Sequence, residues 1–167
     1  INGNLQLVRG LVATLVTEPS MGQSRFSRLA SQLLAERSQL RNLAAAPGLK
    51  VKLMYPLAGN EKAIGLDYTQ NPAQRAAAYL ARDTGRLVLA GPVDLVQGGS
   101  AFIGRFPVFS DSSGRREFWG IVSAVVDAER LYADSGLTDP AETLDITLRG
   151  TDGTGANGPV FFGSPDV

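Results

Sequence analysis

The stretch from Gly85 to Phe109, GRLVLAGPVDLVQGGSAFIGRFPVF, limits the fold more than any other part of the chain. Its only charges are Arg86, Asp94 and Arg105, and glycines and prolines interrupt it every few residues. Proline removes a helical hydrogen bond and glycine weakens a helix, so the stretch does not read as helical. The apolar pieces between the breaks have the length of strands. Arg86 to Ala90 reads as a short strand, Gly91-Pro92 as a bend and Val93 to Gln97 as a further extended piece. Gly98-Gly99 makes a turn, and Ala101 to Phe109 is a longer strand interrupted by Gly104 and Pro107. A polar turn, Ser110 to Arg116, leads into Phe118 to Val126, which is apolar on both faces for much of its length and therefore central in a sheet. Strands joined by such short links pair antiparallel. The predicted class is α+β, with helices on one side of the sheet.

The flanking segments supply the helices. Ile1, Leu5, Val8, Val12 and Leu15 lie alternately four and three residues apart, which draws one apolar seam along a helix. Two readings stay open: a stalk helix that meets a second copy, or a helix lying on its own domain's core. Glu18-Pro19 and Gly22 stop it. Ser24 caps a second helix carrying Phe26, Leu29, Leu33, Leu40 and Leu43, predicted to end near Ala46 because Pro47-Gly48 follows. Lys50 to Leu57 alternates as a half-buried strand that Pro56 ends or forces to an edge. Asn71 caps a helix over Ala73 to Asp83, with Pro72 in its first turn and Gly85 as its C-terminal cap. Asp127 caps a short helix to Ala133, which Gly136 closes. Leu144 to Leu148, the loop Thr151 to Gly158 and Val160 to Phe162 form a hairpin. A lone hairpin is unstable, so it packs on the rest or joins a second sheet with strands beyond Val167. The order of strand, helix and antiparallel strands resembles a PAS-like domain.

Composition removes whole classes of chemistry. The chain has no Cys and no His, which excludes thiol nucleophiles, Ser-His-Asp triads and the usual zinc sites. Its 16 basic and 16 acidic residues cancel, so it has no electrostatic footprint for nucleic acid. No apolar run is long enough to span a membrane, and a chain opening on Ile1 is expected to be part of something longer. Asp83-Thr84-Gly85 matches an aspartic-protease tripeptide without the second carboxylate that chemistry needs. Asp152-Gly153-Thr154-Gly155 lacks the P-loop lysine and the spaced carboxylates of a calcium loop, and reads as a turn. Ser100 has no base to activate it. Two charged residues in apolar settings remain. Asp67 either accepts hydrogen bonds from a ligand or caps its own turn. Arg105 is either solvated or faces inward toward an anionic partner. Gly104, inside a strand, lines a pocket or marks a bulge.

Taken in order, several segments resemble the CHASE family of extracytoplasmic sensory domains. They are Tyr55-Pro56-Leu57-Ala58-Gly59-Asn60, Gly65-Leu66-Asp67, Ala81-Arg82-Asp83-Thr84-Gly85, Gly91-Pro92-Val93, Leu95-Val96-Gln97-Gly98-Gly99, Arg105-Phe106-Pro107-Val108-Phe109, Phe118-Trp119-Gly120 and Leu148-Arg149-Gly150-Thr151-Asp152-Gly153. The resemblance implies a domain between two transmembrane helices, facing the periplasm or cell exterior, that dimerises through its N-terminal helix. It implies a helical stalk over residues 1–46, a membrane-distal PAS-like sensing subdomain over 47–136, and over 137–167 the hairpin of a smaller membrane-proximal PAS-like subdomain. A small ligand in the distal subdomain would signal to a cytoplasmic histidine kinase of a two-component system, or to a cyclic-nucleotide enzyme such as a diguanylate cyclase. The fragment itself would be no enzyme and need no cofactor. The ligand-binding set implied is Asp67, Leu89, Tyr55, Gly104, Arg105 and Phe106, with Asp67 foremost. Gln97-Gly98-Gly99 differs from the plant cytokinin-receptor form, so the pocket's position carries over and the plant ligand does not. The alternative is a ligand-free dimerisation or protein-interaction module of a membrane receptor, with these positions filled as core.

Overall fold

A computed structural model describes residues 2–35, 39–94, 99–112, 114–139 and 144–165. The expected strand end at Leu95 to Gln97, Gly98 of the Gly98-Gly99 turn, and Glu36 to Ser38 of the expected second helix lie outside the described residues. In chain order the elements are α1 (Asn2–Thr17), α2 (Gln23–Ala35), β1 (Leu40–Pro47), β2 (Leu53–Tyr55), α3 (Pro72–Thr84), β3 (Val88–Asp94), β4 (Ser100–Ser112), β5 (Arg115–Asp127), α4 (Ala128–Asp134), β6 (Leu148–Arg149) and β7 (Val160–Phe162). Three of the expected caps fall where the sequence puts them; Ser24 does not cap α2, because that helix already begins at Gln23. The Asn71 side chain accepts from the Ala73 N–H at 3.1 Å ahead of α3. Gly85 ends α3 at φ 64° and donates its N–H to the Ala81 carbonyl. Asp127 accepts from the Arg130 N–H at 2.9 Å to start α4.

One antiparallel sheet, in the order β2-β1-β5-β4-β3, forms the centre, with β5 in the middle as its two-sided apolarity requires. The segment 40–47 corrects the expectation of a helix running to Ala46. It is a strand paired with both β2 and β5. Leu40, Leu43 and the alanines suit a helix by spacing and propensity, but ladder hydrogen bonds on both edges outweigh that small preference. The boundary expected at 46 therefore falls inside the sheet. A Cβ on Gly120 would meet the Ala46 carbonyl oxygen, so the absence of a side chain there lets β1 and β5 approach.

Helices cover both faces, not the one expected. Ile121 and Val122 of β5 are both fully buried, so neither face of the sheet centre tolerates water. On one face α1, α2 and α4 pack against Leu43, Phe102, Phe106 and Val122. On the other, Ala78 and Ala81 of α3 pack with Tyr68, Met54 and Ile121. The seam of α1 resolves in favour of the second reading. Leu5, Val8, Leu11 and Leu15 are buried in this chain's own core, and the outward face carries Gln6, Arg9, Gly10, Ala13 and Thr17. Buried Asn4 ties α1 to the start of β1: its Oδ1 accepts from the Gln39 N–H at 3.1 Å, and its amide donates to the Gln39 side chain. The terminal hairpin forms a separate two-stranded sheet that rests on the same core, with Phe161 at 6.0 Å from the Phe102 ring and Phe162 at 4.8 Å from Tyr132.

Candidate functional site

Register decides which side chains can share a site, because neighbours along a strand point to opposite faces. One cross-strand row runs Tyr55, Leu43, Ala124, Gly104, Leu89. The next runs Met54, Ala44, Ser123, Arg105, Val88. The first row faces α1 and α2, and the second faces α3. Tyr55, Gly104 and Phe106 thus lie on the α1 side, and the structure does not bring them to Arg105's face. Gly104 is in unbroken register with its neighbours, so it is no bulge. A Cβ there would come within 2.9 Å of Leu5 Cδ2, so this glycine makes room for α1.

On the α3 side lies a cavity of about 610 Å³ between that helix and the β3–β4 edge. Its apolar wall is Ala73, Ala76, Ala77, Leu80, Val88, Leu89, Ala90, Val93 and Ile103. Its polar groups are Gln74, Arg105, Asp152 and Asp94, the last exposed at the end of β3. Alanines create the space: along α3 they cover the sheet at Ala78 and Ala81 but leave a gap at Ala73 and Ala77. Ala73, Ala76 and Leu80 are exposed, so the gap opens to solvent. Few polar groups in an apolar concavity of this size is the usual composition of a small-molecule site.

Arg105 forms part of the cavity wall at 2% exposure. Its Nη2 donates to Gln74 Oε1 at a long 3.3 Å, while Nε and Nη1 have no partner among the described residues. Burial pushes the guanidinium below its usual pKa, and the negative potential of Tyr68 and Asp152 works against that. Arginine nonetheless remains protonated in proteins. Beside it, buried Tyr68 shares a hydrogen bond with Ser123 Oγ at 3.0 Å; burial raises its pKa, opposed by that bond and by Arg105.

Asp67 is not brought to this cavity. Its Oδ1 accepts from the Thr69 N–H at 2.8 Å and the Thr69 hydroxyl at 2.7 Å, closing its own turn opposite Lys50. The Thr69 hydroxyl bond, then the Thr69 amide, hold its carboxyl below the usual range. Asp152 was legible only as a turn residue. It sits at φ 56° and its Oδ1 accepts from the Gly91 N–H at 2.6 Å, docking the loop before β7 onto the bend in β3 and closing one wall of the cavity. Leu89, on the edge strand, borders this cavity and a second one of about 340 Å³ on the opposite face. The second is enclosed by Phe102, Leu131, Tyr132, Leu148 and Phe161, and the buried Tyr132 hydroxyl has no partner among the described residues.

The CHASE domain profile matches residues 48–162, most of the chain. The chain belongs to the CHASE family. As a CHASE domain it is an extracytoplasmic sensory domain. No curated protein sequence matches it. Solved structures share its fold: an extracellular ligand binding receptor from Desulfohalobium retbaense aligns with TM-score 0.60 at 18% identity, over 81% of this chain and 24% of that one. The ligand-binding domain of the Pseudomonas aeruginosa PAO1 amino acid chemoreceptor PctC, in complex with GABA, aligns with TM-score 0.57 at 19% identity, over 79% of this chain and 54% of that one. The CHASE domain described here thus spans about a quarter and about half of those two chains, and at such identities the likeness is one of fold.

Proposed function

We propose that this CHASE domain binds a small molecule in the cavity between α3 and the β3–β4 edge and signals its presence across the membrane. The observation that carries the reading is a buried cation, Arg105, in the wall of a solvent-open apolar cavity, with two nitrogens unpartnered and no carboxylate within salt-bridge distance among the described residues. That PctC holds GABA in a domain of the same fold is consistent with it. In this reading the domain faces the periplasm, flanking transmembrane helices anchor it, and the output is a histidine kinase or a cyclic-nucleotide enzyme. Arg105 and Gly104 are adjacent on β4, one facing the cavity and the other under Leu5 of α1. A ligand that draws β4 toward α3 therefore acts on the seat of α1. Ligand shifts the equilibrium only by its preference for one seating over the other. Two copies pair along the outward face of α1, because its apolar seam is committed inside.

The test is a thermal-shift screen of the 167-residue chain against metabolites, repeated on Ala77→Phe, which fills the cavity. A ligand at about 100 times its Kd adds roughly 2.7 kcal/mol to stability. The shift is expected in the wild type and absent in the variant. An equal shift in Ala77→Phe places the ligand elsewhere, and no shift with any metabolite favours the ligand-free interaction module.

A further inference from the structure

The chemistry of the cavity narrows its occupant. A guanidinium offers five N–H donors, and Arg105 uses one of them in a long bond to Gln74. Among the described residues two of its three nitrogens have no partner at 2% exposure, an arrangement that is costly until an anion supplies the missing acceptors. The planar guanidinium matches the two oxygens of a carboxylate. Among the described residues bordering the cavity Arg105 is the only cation, and Asp152 and Asp94 are the anions. With two carboxylates already in the lining, a single arginine favours at most one further negative charge, placed directly on its guanidinium. A phosphate monoester brings about −1.5 to −2 at neutral pH and would meet two carboxylates with a single arginine. A dicarboxylate places its second charge in the same unfavourable field. The alanine, valine, leucine and isoleucine wall takes an apolar body.

We infer, on the reading of this cavity as the ligand site, that its occupant is a small molecule with a single carboxylate docked on Arg105 and an uncharged or cationic remainder lying against α3.

The probes are sodium butyrate, butyramide, succinate and inorganic phosphate, added at millimolar concentration to the wild-type chain, Arg105→Met and Ala77→Phe. Readouts are the melting temperature and the NMR resonance of the Arg105 side-chain Nε–H. Butyrate is expected to raise the wild-type melting temperature and move the Nε–H resonance, with succinate weaker and butyramide and phosphate inert. Its affinity should fall about tenfold or more in Arg105→Met, as loss of a charged hydrogen bond implies. If butyramide matches butyrate, and Arg105→Met binds both while Ala77→Phe binds neither, the carboxylate inference fails and the cavity survives as the site. If butyrate binds undiminished to both variants, both readings fail. If no carboxylate moves the wild-type Nε–H resonance, which requires no variant to fold, the carboxylate inference is overturned and the metabolite screen alone judges the cavity.

Discussion

Replacing Arg105 by methionine should make the unliganded protein more stable. The side chain is 98% buried by its 2% exposure, and the described residues give it one long hydrogen bond and no counter-ion within salt-bridge distance. Methionine has a similar unbranched stem and no charge to desolvate. The loss is a 3.3 Å bond to Gln74, worth little at that length. The gain is the removal of a buried cation that has no carboxylate within salt-bridge distance among the described residues; even a buried ion pair, whose charges offset each other, can be exchanged for apolar side chains of similar volume with an effect from neutral to about 1–4 kcal/mol stabilising. In a chain of this size each kcal/mol moves the melting temperature by about 2–4 °C. Scanning calorimetry and urea unfolding of the ligand-free protein, in a buffer without carboxylate, measure it. A rise of several degrees with an unchanged urea m-value agrees with the reasoning. A fall of a kcal/mol or more refutes it, because Arg105 would then be satisfied within the fold and hold no place for a ligand.

Other expectations follow from the same geometry. Gly104→Val drives a side chain against Leu5 Cδ2, which lies 2.9 Å from a Cβ there, and should cost about 1–3 kcal/mol by chemical denaturation while lifting α1 from the sheet. Asn4→Ala leaves the Gln39 N–H without its acceptor and should cost about 1–3 kcal/mol in the same assay. Asp67→Asn should leave any ligand-induced thermal shift intact, since the carboxylate closes its own turn. Because the folded pKa of Asp67 lies below its unfolded value, its stabilisation is present above the unfolded pKa and fades as pH falls through the folded one. Acid titration of stability should therefore show a shallower loss in Asp67→Asn than in the wild type.

Much of the fold was legible because local chemistry and global pairing agree. Asn71-Pro72, Gly85 and Asp127 each satisfy orphan backbone groups at a helix end, so their positions were fixed without knowledge of the sheet. The two-sided apolarity of Phe118 to Val126 put β5 at the centre. It also implied cover on both faces, yet short strand links suggested one. The strand Leu40–Pro47 was not legible, because LRNLAAAP has helical spacing and alanine content, and only pairing on both sides makes it extended. At the site, the inward alternative for Arg105 could be stated but not chosen, since alternation gives two faces without saying which is covered. Tyr55 and Phe106 came from family likeness, and Gly104 from its place inside a strand as well, and the parity of their strands places all three on the α1 face. Gln74 and the alanines of α3 carried no signal beyond helix propensity. Asp152 carried none beyond a turn, because its role depends on meeting Gly91 across 61 residues of chain.

A crystal structure of the domain with any ligand that raises its melting temperature addresses the central claim most directly. The ligand should lie between α3 and the β3–β4 edge, with an acidic group in hydrogen-bond contact with Arg105 and its body against Ala73 and Ala77. A ligand seated beside Asp67, or in the smaller cavity under the terminal hairpin with Arg105 untouched, would contradict the account.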